Sequence, residues 1–388
     1  MDNMKKLTTM LLTAALAVAT VVFAGCGGKT ETNDIKIGAD FEFTGGVAQY
    51  GQSAANGIKL AFKETNAAGG VLGKQLTLIS ADNKSEPSES ANAITKLITQ
   101  DKVVAVMGPA ASSNVLAAIP VAQASKIPLL TPTGTNPKIT VEDGKVKDYV
   151  FRSCFIDPFQ GKVMANFAAN TLKAKTAVIY IDSSSDYSKG LAKNFEGAFA
   201  QKGGSVLASE AFLQKDQDFR ATLTKIKALN PDVIYLPAYY EEVAKIIKQA
   251  RDMGITVPIL GSDGWDSPKL VEIAGAAATN NTFFTNHYSA QDKDPRVQKF
   301  VEAYKKEYGQ NPDALAVLGY DGALMMIDAI KRANSTDPAK IKEALAQTSN
   351  LQVVSGVLSL DPNHDPVKSA VIIEMKDGVQ TFREKINP

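Results

Sequence analysis

The segment from Val233 to Leu260 has the sequence VIYLPAYYEEVAKIIKQARDMGITVPIL, which is one complete strand–helix–strand pattern. Its first four and last three residues are short, continuous apolar runs. The pattern between them, over residues 240–252, is helical, and its apolar residues follow the i, i+3, i+4, i+7 spacing of one helix face: Val243, Ile246, Ile247 and Ala250. Strands that are apolar throughout and are separated by such helices indicate a parallel sheet covered by helices on both faces.

The same alternation of strands and helices extends over two successive series, about residues 34–157 and 158–286. The strand-like runs are Ile35–Ala39, Leu76–Ser80, Val103–Met107, Ile127–Leu130, Ala177–Ile181, Val206–Ala208, Val233–Leu236 and Pro258–Leu260. Later come helical patterns at 295–308, 313–332 and 338–347 and strand-like runs at 356–360 and 370–375. We therefore predict an α/β fold with two doubly wound parallel-sheet lobes, between which the chain crosses more than once through a hinge.

The charge balance argues against a protein that acts mainly on nucleic acid. The chain of 388 residues has 42 basic and 41 acidic side chains. Lys5, Lys6 and Asp2 lie in the first 25 residues, which leaves 40 of each sign in the rest of the chain. Nucleic-acid-binding proteins concentrate positive charge, so a net charge of zero argues against that class. With 45% hydrophobic and 21% charged residues, the composition is that of a globular protein with a substantial core.

Common catalytic and metal-binding motifs are missing from the sequence. Two cysteines, Cys26 and Cys154, are too few for a zinc ribbon or a disulfide scaffold, and His287 and His364 lie 77 positions apart, which excludes a histidine-rich metal site. The chain has no GxSxG, HExxH or GxxxxGK[ST] motif. A hydrolase built on two carboxylates, or a metal held by carboxylates alone, stays open at this point. We expect a protein that is not an enzyme and holds neither a metal nor a cofactor.

The N-terminus indicates export. Lys5 and Lys6 precede 22 uncharged residues, Leu7–Gly28, which include small residues near their end. A basic segment, an apolar run and a cut site with small residues are typical of a secretory signal peptide. The alternative is a retained transmembrane anchor, since about 20 apolar residues can span a bilayer. In both interpretations the bulk of the chain lies outside the cytoplasmic membrane.

The end of the apolar run, Phe23-Ala24-Gly25-Cys26, resembles the lipobox of bacterial lipoproteins, with Phe23 where Leu is usual. The resemblance implies cleavage before Cys26 and a lipid on its thiol. We therefore predict a signal peptide at residues 1–25, a short flexible tether at 26–34 and attachment to the membrane through the lipid on Cys26.

Ligands of open parallel sheets bind beyond the carboxyl ends of the strands, so the residues after each predicted strand are candidates for a site. The first series offers Tyr50 and three hydroxyls, Ser112, Thr133 and Thr135. Ser112 stands at a predicted helix start, where a hydroxyl and backbone N–H groups together suit a carboxylate. An ordinary helix cap and polar turn explain the same residues when each is taken alone.

In the second series, the residues that follow the predicted strands are tyrosines and an aspartate instead of hydroxyl residues. Tyr187, Tyr239 and Asp263 follow three of its strands. Tyrosines can form the wall of an apolar pocket while their hydroxyls remain paired, and Asp263 can accept hydrogen bonds from an ammonium group. Taken singly, they are equally explained as half-buried tyrosines and a turn aspartate.

Six segments together resemble a known family. They are Val47-Ala48-Gln49-Tyr50-Gly51, Asn66-Ala67-Ala68-Gly69-Gly70, Gly108–Ser113, Thr131–Pro137, Asp186-Tyr187 before Gly190-Leu191, and Gly261–Asp263. Their order and spacing are similar to those of the type I periplasmic binding proteins, specifically the leucine/isoleucine/valine-binding branch, over nearly the whole mature chain. The resemblance implies a monomer with that family's fold, in which one lobe comprises residues 34–157 plus 287–368 and the other residues 158–286 plus 369–388.

The resemblance also implies how the two charges of an amino acid are bound. The residues at the Ser112 and Thr135 positions hold the α-carboxylate. The Thr133 carbonyl, the Thr135 hydroxyl and an acid at the Asp263 position meet the α-ammonium. Many relatives have glutamate at this last position, so the shorter Asp263 leaves open whether the ammonium contact is direct or passes through water.

Four further positions complete the implied ligand site. Tyr187 matches a second-lobe tyrosine that reaches the main-chain end of the ligand, and Tyr50 and Tyr239 match the pocket walls. Asp157 matches an acid in the hinge region near the cleft.

We therefore expect a solute-binding lipoprotein that captures an amino acid between closing lobes and delivers it to the permease and ATPase subunits of an ABC importer. Branched-chain amino acids are the first expectation for the ligand and phenylalanine the second. A ligand-sensing receptor module is the main alternative, although the sequence has no fused signalling domain. A binder of an aromatic carboxylate or an amide is another, against which Asp263 argues because an unpaired buried carboxylate is costly.

Overall fold

Two large β-sheets form the framework of residues 34–387, the part of the chain that this computed structural model describes. The first sheet contains β1 (Ile35–Phe41), β2 (Leu76–Asp82), β3 (Ala105–Met107), β4 (Leu129–Thr131) and β7 (Val150–Arg152), and β5 (Val141–Glu142) and β6 (Lys145–Val146) form a small hairpin beside it. All five strands of the sheet are parallel, in the order β2-β1-β3-β4-β7. The connections therefore run in opposite directions from the centre of the sheet, with a switch point between β1 and β3.

The second sheet repeats this topology and extends it. Its strands are β8 (Thr176–Asp182), β9 (Ser205–Phe212), β10 (Val233–Tyr235), β11 (Ile259–Gly261), β12 (Thr282–Asn286), β15 (Ala370–Lys376) and β16 (Val379–Ile386), and β13 (Leu351–Val353) pairs only with β14 (Gly356–Leu358). The five parallel strands have the order β9-β8-β10-β11-β12, the same doubly wound order as in the first sheet. The antiparallel hairpin β15–β16 continues the sheet beyond β12.

Eleven α-helices are present in residues 34–387. They are α1 (Ala48–Ala67), α2 (Pro87–Thr99), α3 (Ser112–Ser125), α4 (Asp157–Asn166), α5 (Asp186–Gln201), α6 (Arg220–Leu229), α7 (Tyr240–Asp252), α8 (Pro268–Ala274), α9 (Pro295–Tyr308), α10 (Ala314–Ala333) and α11 (Pro338–Ala346). Helix α10, which follows the second series in sequence, packs on α1 of the first lobe through Gly57 and Gly319, where an added Cβ on either glycine would collide with the backbone of the other helix. The chain therefore returns to the first lobe after leaving it.

Both sheets are buried on both faces, as the continuous apolar runs predict. In β10 and the residue after it, Val233 and Tyr235 belong to one hydrophobic core, whereas Ile234 and Leu236 belong to the core on the opposite face. The predicted apolar face of α7 lies in the same core as Ile234. The prediction of an α/β fold with two doubly wound sheets is thus confirmed.

Some elements differ from the sequence prediction. The strand-like run at 356–360 does not join either large sheet but forms the small hairpin with Leu351–Val353. Strand β16 is absent from the prediction, and its pairing makes the edge of the second sheet antiparallel. The chain passes from one large sheet to the other lobe at three places: after β7, after β12 and before β15.

The predicted signal peptide, most of the tether and Cys26 lie outside the described residues. Within the part that is described, no helix combines the length and the apolar character needed to cross a membrane.

Candidate ligand-binding site

A cavity of about 270 Å³ lies where the loops after the strands of the two sheets face each other. Its lining residues are Tyr50, Ala110, Ser112, Thr133, Tyr187, Tyr239, Asp263, Gly264 and Leu315. The first lobe supplies small and hydroxyl side chains, and the second lobe supplies tyrosines and a carboxylate. Six of the eight residues predicted for the site line this cavity, and Thr135 and Asp157 are not among them.

Ser112 is placed to present its hydroxyl to the cavity. It is the first residue of α3, and the N-cap position belongs to Ala111, so Ser112 is not an ordinary helix cap. Its Oγ accepts a hydrogen bond from the backbone N–H of Asn136 at 3.3 Å, which leaves the hydroxyl proton for another acceptor. A hydroxyl donor in the first turn of a helix, at the positive end of the helix dipole, suits a carboxylate.

Glu42, which the sequence analysis missed, fixes the loop before α3. Its carboxylate accepts hydrogen bonds from the backbone N–H groups of Ala110 and Ala111, both at 3.0 Å, and from Asn114 Nδ2 at 2.9 Å. Burial raises the pKa of Glu42, and these hydrogen bonds oppose that rise. The loop amides are therefore occupied by the protein itself, which makes the Ser112 hydroxyl the more important donor on this side.

Thr133 and Thr135 have different surroundings. Thr133 Oγ1 donates to the Ala110 carbonyl at 3.0 Å and lies at the cavity wall. Thr135 Oγ1 and Asp157 Oδ2 are both buried; neither makes a hydrogen bond of good geometry among residues 34–387, but the Thr135 hydroxyl is close enough to the Asp157 carboxyl to lower its pKa. Burial raises the pKa of Asp157 to about 7, and the neighbouring charge of Asp263 adds to that rise.

Asp263, just after β11, carries the negative charge at the second-lobe wall. Its Oδ1 accepts from Tyr187 Oη at 2.5 Å and from Gln160 Nε2 at 3.1 Å, and its Oδ2 lies 2.9 Å from His287 Nε2. Gln160 Nε2 also donates to Asp157 Oδ1 at 3.0 Å, so one amide holds both carboxylates. Each partner of Asp263 in this group is electrically neutral or, for His287, has a pKa lowered by burial.

Three tyrosines form the apolar wall. Tyr187 and Tyr239 stack with ring centroids 4.9 Å apart, and Tyr50 meets Tyr239 edge-on at 5.5 Å. Gly264 lies against them, and a Cβ at this position would be 3.0 Å from both Tyr187 Oη and Tyr239 Cδ1. A larger residue there would therefore push the tyrosines apart.

The two lobes contact each other across this cavity. Tyr50 Oη donates to the Gly264 carbonyl, and Asn136 Nδ2 donates to the Asp186 carbonyl at 3.0 Å. At the exposed rim, Lys215 Nζ lies 2.8 Å from Glu86 Oε1. Direct hydrogen bonds between first-lobe and second-lobe residues mean that the cleft is closed in this structure.

Cys154, the cysteine within the described residues, has no nucleophilic character. It is fully buried, and its Sγ lies 3.3 Å from the Gly134 carbonyl oxygen. Burial raises the pKa of its thiol to about 12, so it is protonated at neutral pH.

A two-lobed α/β protein that encloses a small cavity between matching strand ends, with hydroxyls on one wall and a carboxylate on the other, has the architecture of a protein that binds a small zwitterion by closing around it. Residues 34–380 match the family model described as periplasmic binding protein, and the chain belongs to this family. Members of the family bind solutes outside the cytoplasmic membrane. The resemblance inferred from the six sequence segments is thus confirmed.

Known relatives match nearly the whole chain. A solved leucine-binding protein, LivK from Thermotoga maritima, is 42% identical with a TM-score of 0.86, and the match covers 91% of this chain and 99% of that one. The branched-chain amino acid transporter substrate-binding protein LivJ from Streptococcus pneumoniae, solved with isoleucine, is 39% identical with a TM-score of 0.86 and coverages of 92% and 100%. The leucine-, isoleucine-, valine-, threonine- and alanine-binding protein of Pseudomonas aeruginosa is 29% identical over 93% of this chain and 94% of its own.

Proposed function

We propose that the protein captures a branched-chain L-amino acid between its lobes and delivers it to the permease and ATPase subunits of an ABC importer. The observation that carries the proposal is the pairing of a first-lobe hydroxyl, Ser112, with a second-lobe carboxylate, Asp263, on the wall of one closed cavity. A neutral amino acid presents the complementary pair of charges. The names of the Thermotoga and pneumococcal relatives, a leucine-binding and a branched-chain amino acid transporter protein, support the same ligand class.

The carboxylate of the ligand would be bound by the first lobe, and its ammonium group by the first lobe through the Thr133 carbonyl and by the second lobe through Asp263. The α-carboxylate accepts from Ser112 and from the buried hydroxyl of Thr135, which would turn from the Asp157 carboxyl to the ligand. The α-ammonium donates to Asp263 and to the Thr133 carbonyl, with Tyr187 holding Asp263 in place. Because neither lobe satisfies both charges, full affinity requires closure.

The rest of the cavity suits an apolar side chain. Tyr50, Tyr239, Ala110 and Leu315 surround it, and none of them carries a charge. A charged ligand side chain would therefore be buried without a partner, at a high cost. An aromatic acid without an ammonium group would leave Asp263 unpaired on the cavity wall, which favours an amino acid over a plain carboxylate.

We further propose that closure is a rotation of residues 34–157 plus 287–368 against residues 158–286 plus 369–388, about crossovers near residues 157, 287 and 369. The protein acts as a monomer without enzymatic activity. It is exported by the signal peptide at 1–25 and held at the membrane by a lipid on Cys26 through the tether at 26–34. These last proposals rest on the sequence of the N-terminus.

The ligand class is tested by a thermal-shift screen of the mature protein with the twenty common L-amino acids, followed by calorimetry of every hit. We expect leucine, isoleucine or valine to raise the melting temperature most, with one-to-one stoichiometry. Lysine and glutamate serve as matched controls because they share the main-chain groups but add a charge to the side chain. A stronger shift with lysine or glutamate than with any aliphatic amino acid would refute the proposed pocket chemistry.

A further inference from the structure

His287 lies between the ligand cavity and the hinge. It follows β12 directly, at the point where the chain leaves the second sheet, and its side chain is 1% exposed. Its ring stacks on Phe155, which belongs to the segment between β7 and α4 where the chain first crosses, with centroids 3.7 Å apart and an interplanar angle of 19°. Its Nε2 lies 2.9 Å from Asp263 Oδ2. His287 itself lies at the second crossover, and its imidazole contacts the first crossover through Phe155 and the acid at the cavity wall, Asp263.

The hydrogen bond to Asp263 defines the tautomer of His287. An ionised carboxylate only accepts hydrogen bonds, so Nε2 carries the proton in the neutral ring. Nδ1 has no hydrogen-bond partner within residues 34–387. A second proton on the ring would therefore place a buried N–H without an acceptor at Nδ1, which is costly.

The surroundings of the imidazole have opposing effects on the pKa of His287. Burial lowers the pKa of His287, Lys368 acts in the same direction, and Asp263 and Asp266 favour the charged form. Burial is the largest of these influences. The imidazole is therefore uncharged near neutral pH and becomes a cation only in more acidic solution.

Two other buried acids of this protein are paired with cations, whereas Glu42 and Asp157, like Asp263, are held by neutral donors. Asp365 lies 2.7 Å from the guanidinium of Arg152, and Asp321 lies 4.0 Å from Lys368 Nζ. Both pairs join a carboxylate to a cation, so the negative charge is cancelled within the protein. Asp263 instead has Tyr187, Gln160 and His287 as partners, which orient its oxygens and leave its charge available.

We propose that His287 is a positioning residue for amino-acid capture: as a neutral donor it fixes the Asp263 carboxylate at the cavity wall without cancelling its charge, and its stack on Phe155 links that carboxylate to the hinge. The inference rests on the proposed function, because it assigns His287 to recognition of the ligand's ammonium group. His287 itself does not touch the ligand cavity.

Two ligands and three variants separate this role from a general structural one. L-leucine and 4-methylpentanoate share the side chain and the carboxylate, but only leucine has the ammonium. By calorimetry, His287→Ala should weaken leucine by about tenfold or more, because the Asp263 carboxylate is no longer held in place for the ammonium group, and 4-methylpentanoate by less than about threefold. His287→Gln keeps a neutral N–H donor and should retain leucine affinity within about threefold.

His364→Ala is the matched control. His364 also stacks on a phenylalanine, Phe151, with centroids 4.3 Å apart, and also makes one hydrogen bond, to the Val150 carbonyl, but it lies away from the cavity. It should change neither affinity. Equal losses of both ligands in His287→Ala, a loss in His287→Gln as large as in His287→Ala, or the same selective loss in His364→Ala would each overturn the proposal.

If His287→Ala does not fold, nitrogen NMR of the wild-type mature protein provides a second test of the proposal. The chain has only two histidines, so the His364→Ala spectrum assigns both. We expect His287 to be the neutral Nε2–H tautomer near pH ~7.5, with a signal that shifts on addition of leucine but not of 4-methylpentanoate. A protonated ring at that pH, or equal shifts with both ligands, contradicts the inference. If the wild-type protein binds no amino acid, the proposed function fails instead.

Discussion

Replacement of Asp263 by asparagine tests which residue recognises the ammonium group of the ligand. Asparagine has the same shape, and its carbonyl can keep the hydrogen bonds from Tyr187 Oη and Gln160 Nε2 that Asp263 Oδ1 accepts at 2.5 and 3.1 Å. Its amide would face His287 Nε2, which can accept only if the ring changes to its other tautomer, and this change leaves a buried N–H at Nδ1 without an acceptor. The variant should therefore fold, with some loss of stability from the changed tautomer of His287, and lose chiefly the negative charge at the cavity wall.

The size of the effect follows from this geometry. Removing one partner of a buried charge pair costs about 2–5 kcal/mol, and about 1.4 kcal/mol corresponds to a tenfold change in affinity. Because Tyr187, Gln160 and His287 all retain partners on the substituted side chain, the loss should lie at the lower end. We expect L-leucine to bind about 30-fold more weakly to Asp263→Asn. The ligand 4-methylpentanoate has no ammonium group and should lose less than about threefold.

Isothermal titration calorimetry of both ligands with the wild type, Asp263→Asn and Ser112→Ala measures these changes directly. Ser112→Ala should weaken both ligands, by about 3- to 10-fold for one lost hydrogen bond, because both keep the carboxylate. Asp263→Asn should thus affect the two ligands differently, whereas Ser112→Ala should affect both alike. Equal losses of leucine and 4-methylpentanoate in Asp263→Asn would refute the assignment of Asp263 to the ammonium group.

Three further predictions concern closure, anchoring and pH. The radius of gyration from small-angle scattering should fall when leucine saturates the protein, and no change at a concentration where calorimetry shows full occupancy would contradict capture by lobe closure. Metabolic labelling with a fatty acid should mark the wild-type protein and not Cys26→Ser, whereas a labelled variant would place the lipid elsewhere. Since the folded pKa of Asp157, about 7, lies above its ordinary 3.8, ionisation is penalised only in the folded state, and the penalty grows as the pH rises towards 7. The melting temperature of Asp157→Asn relative to wild type should therefore be higher at about pH 8 than at about pH 4, and a difference independent of pH would contradict this account.

The framework of the fold could be predicted because a strand that is buried on both faces appears in the sequence as a continuous apolar run. In the segment at 233–236 every residue is apolar, since Val233 and Tyr235 enter one core and Ile234 the other. Strand β16 carries no such signal, because Val379 and Phe382 are exposed and the strand lies at the sheet edge. A strand that is buried on neither face has no continuous apolar run to predict it.

The positions of the cavity residues could also be predicted, for a topological reason. Parallel strands end at the same edge of a sheet, so residues that directly follow them meet in space whatever their distance in sequence. Tyr50 and Gly264 lie 214 positions apart and still share a hydrogen bond across the cleft. The rule locates a residue at the edge but does not say which way its side chain points, and Thr135 is accordingly near the site without lining the cavity.

Two of the three side-chain partners of Asp263 could not be found in this way. Gln160 is 103 positions away on a helix, and His287 is 24 positions away beyond the next strand. Neither residue belongs to a periodic apolar pattern or to a motif. In the sequence, His287 is notable only as one of two histidines that are too far apart for a metal site. Contacts of this kind depend on how helices pack on the sheet, which a single sequence does not encode locally.

If Asp263 binds the ligand as proposed, its hydrogen bonds connect ligand binding to the proposed hinge. Asp157 starts α4 after the first crossover, its Oδ1 accepts from Gln160, and Gln160 donates to Asp263. Asp263 is held from its other side by His287, at the second crossover. The acid at the cavity wall is therefore connected to two of the segments proposed as the hinge. A bound ammonium that draws Asp263 towards the cavity acts on both segments at once, so recognition of charge and closure of the cleft belong to the same hydrogen-bonded chain.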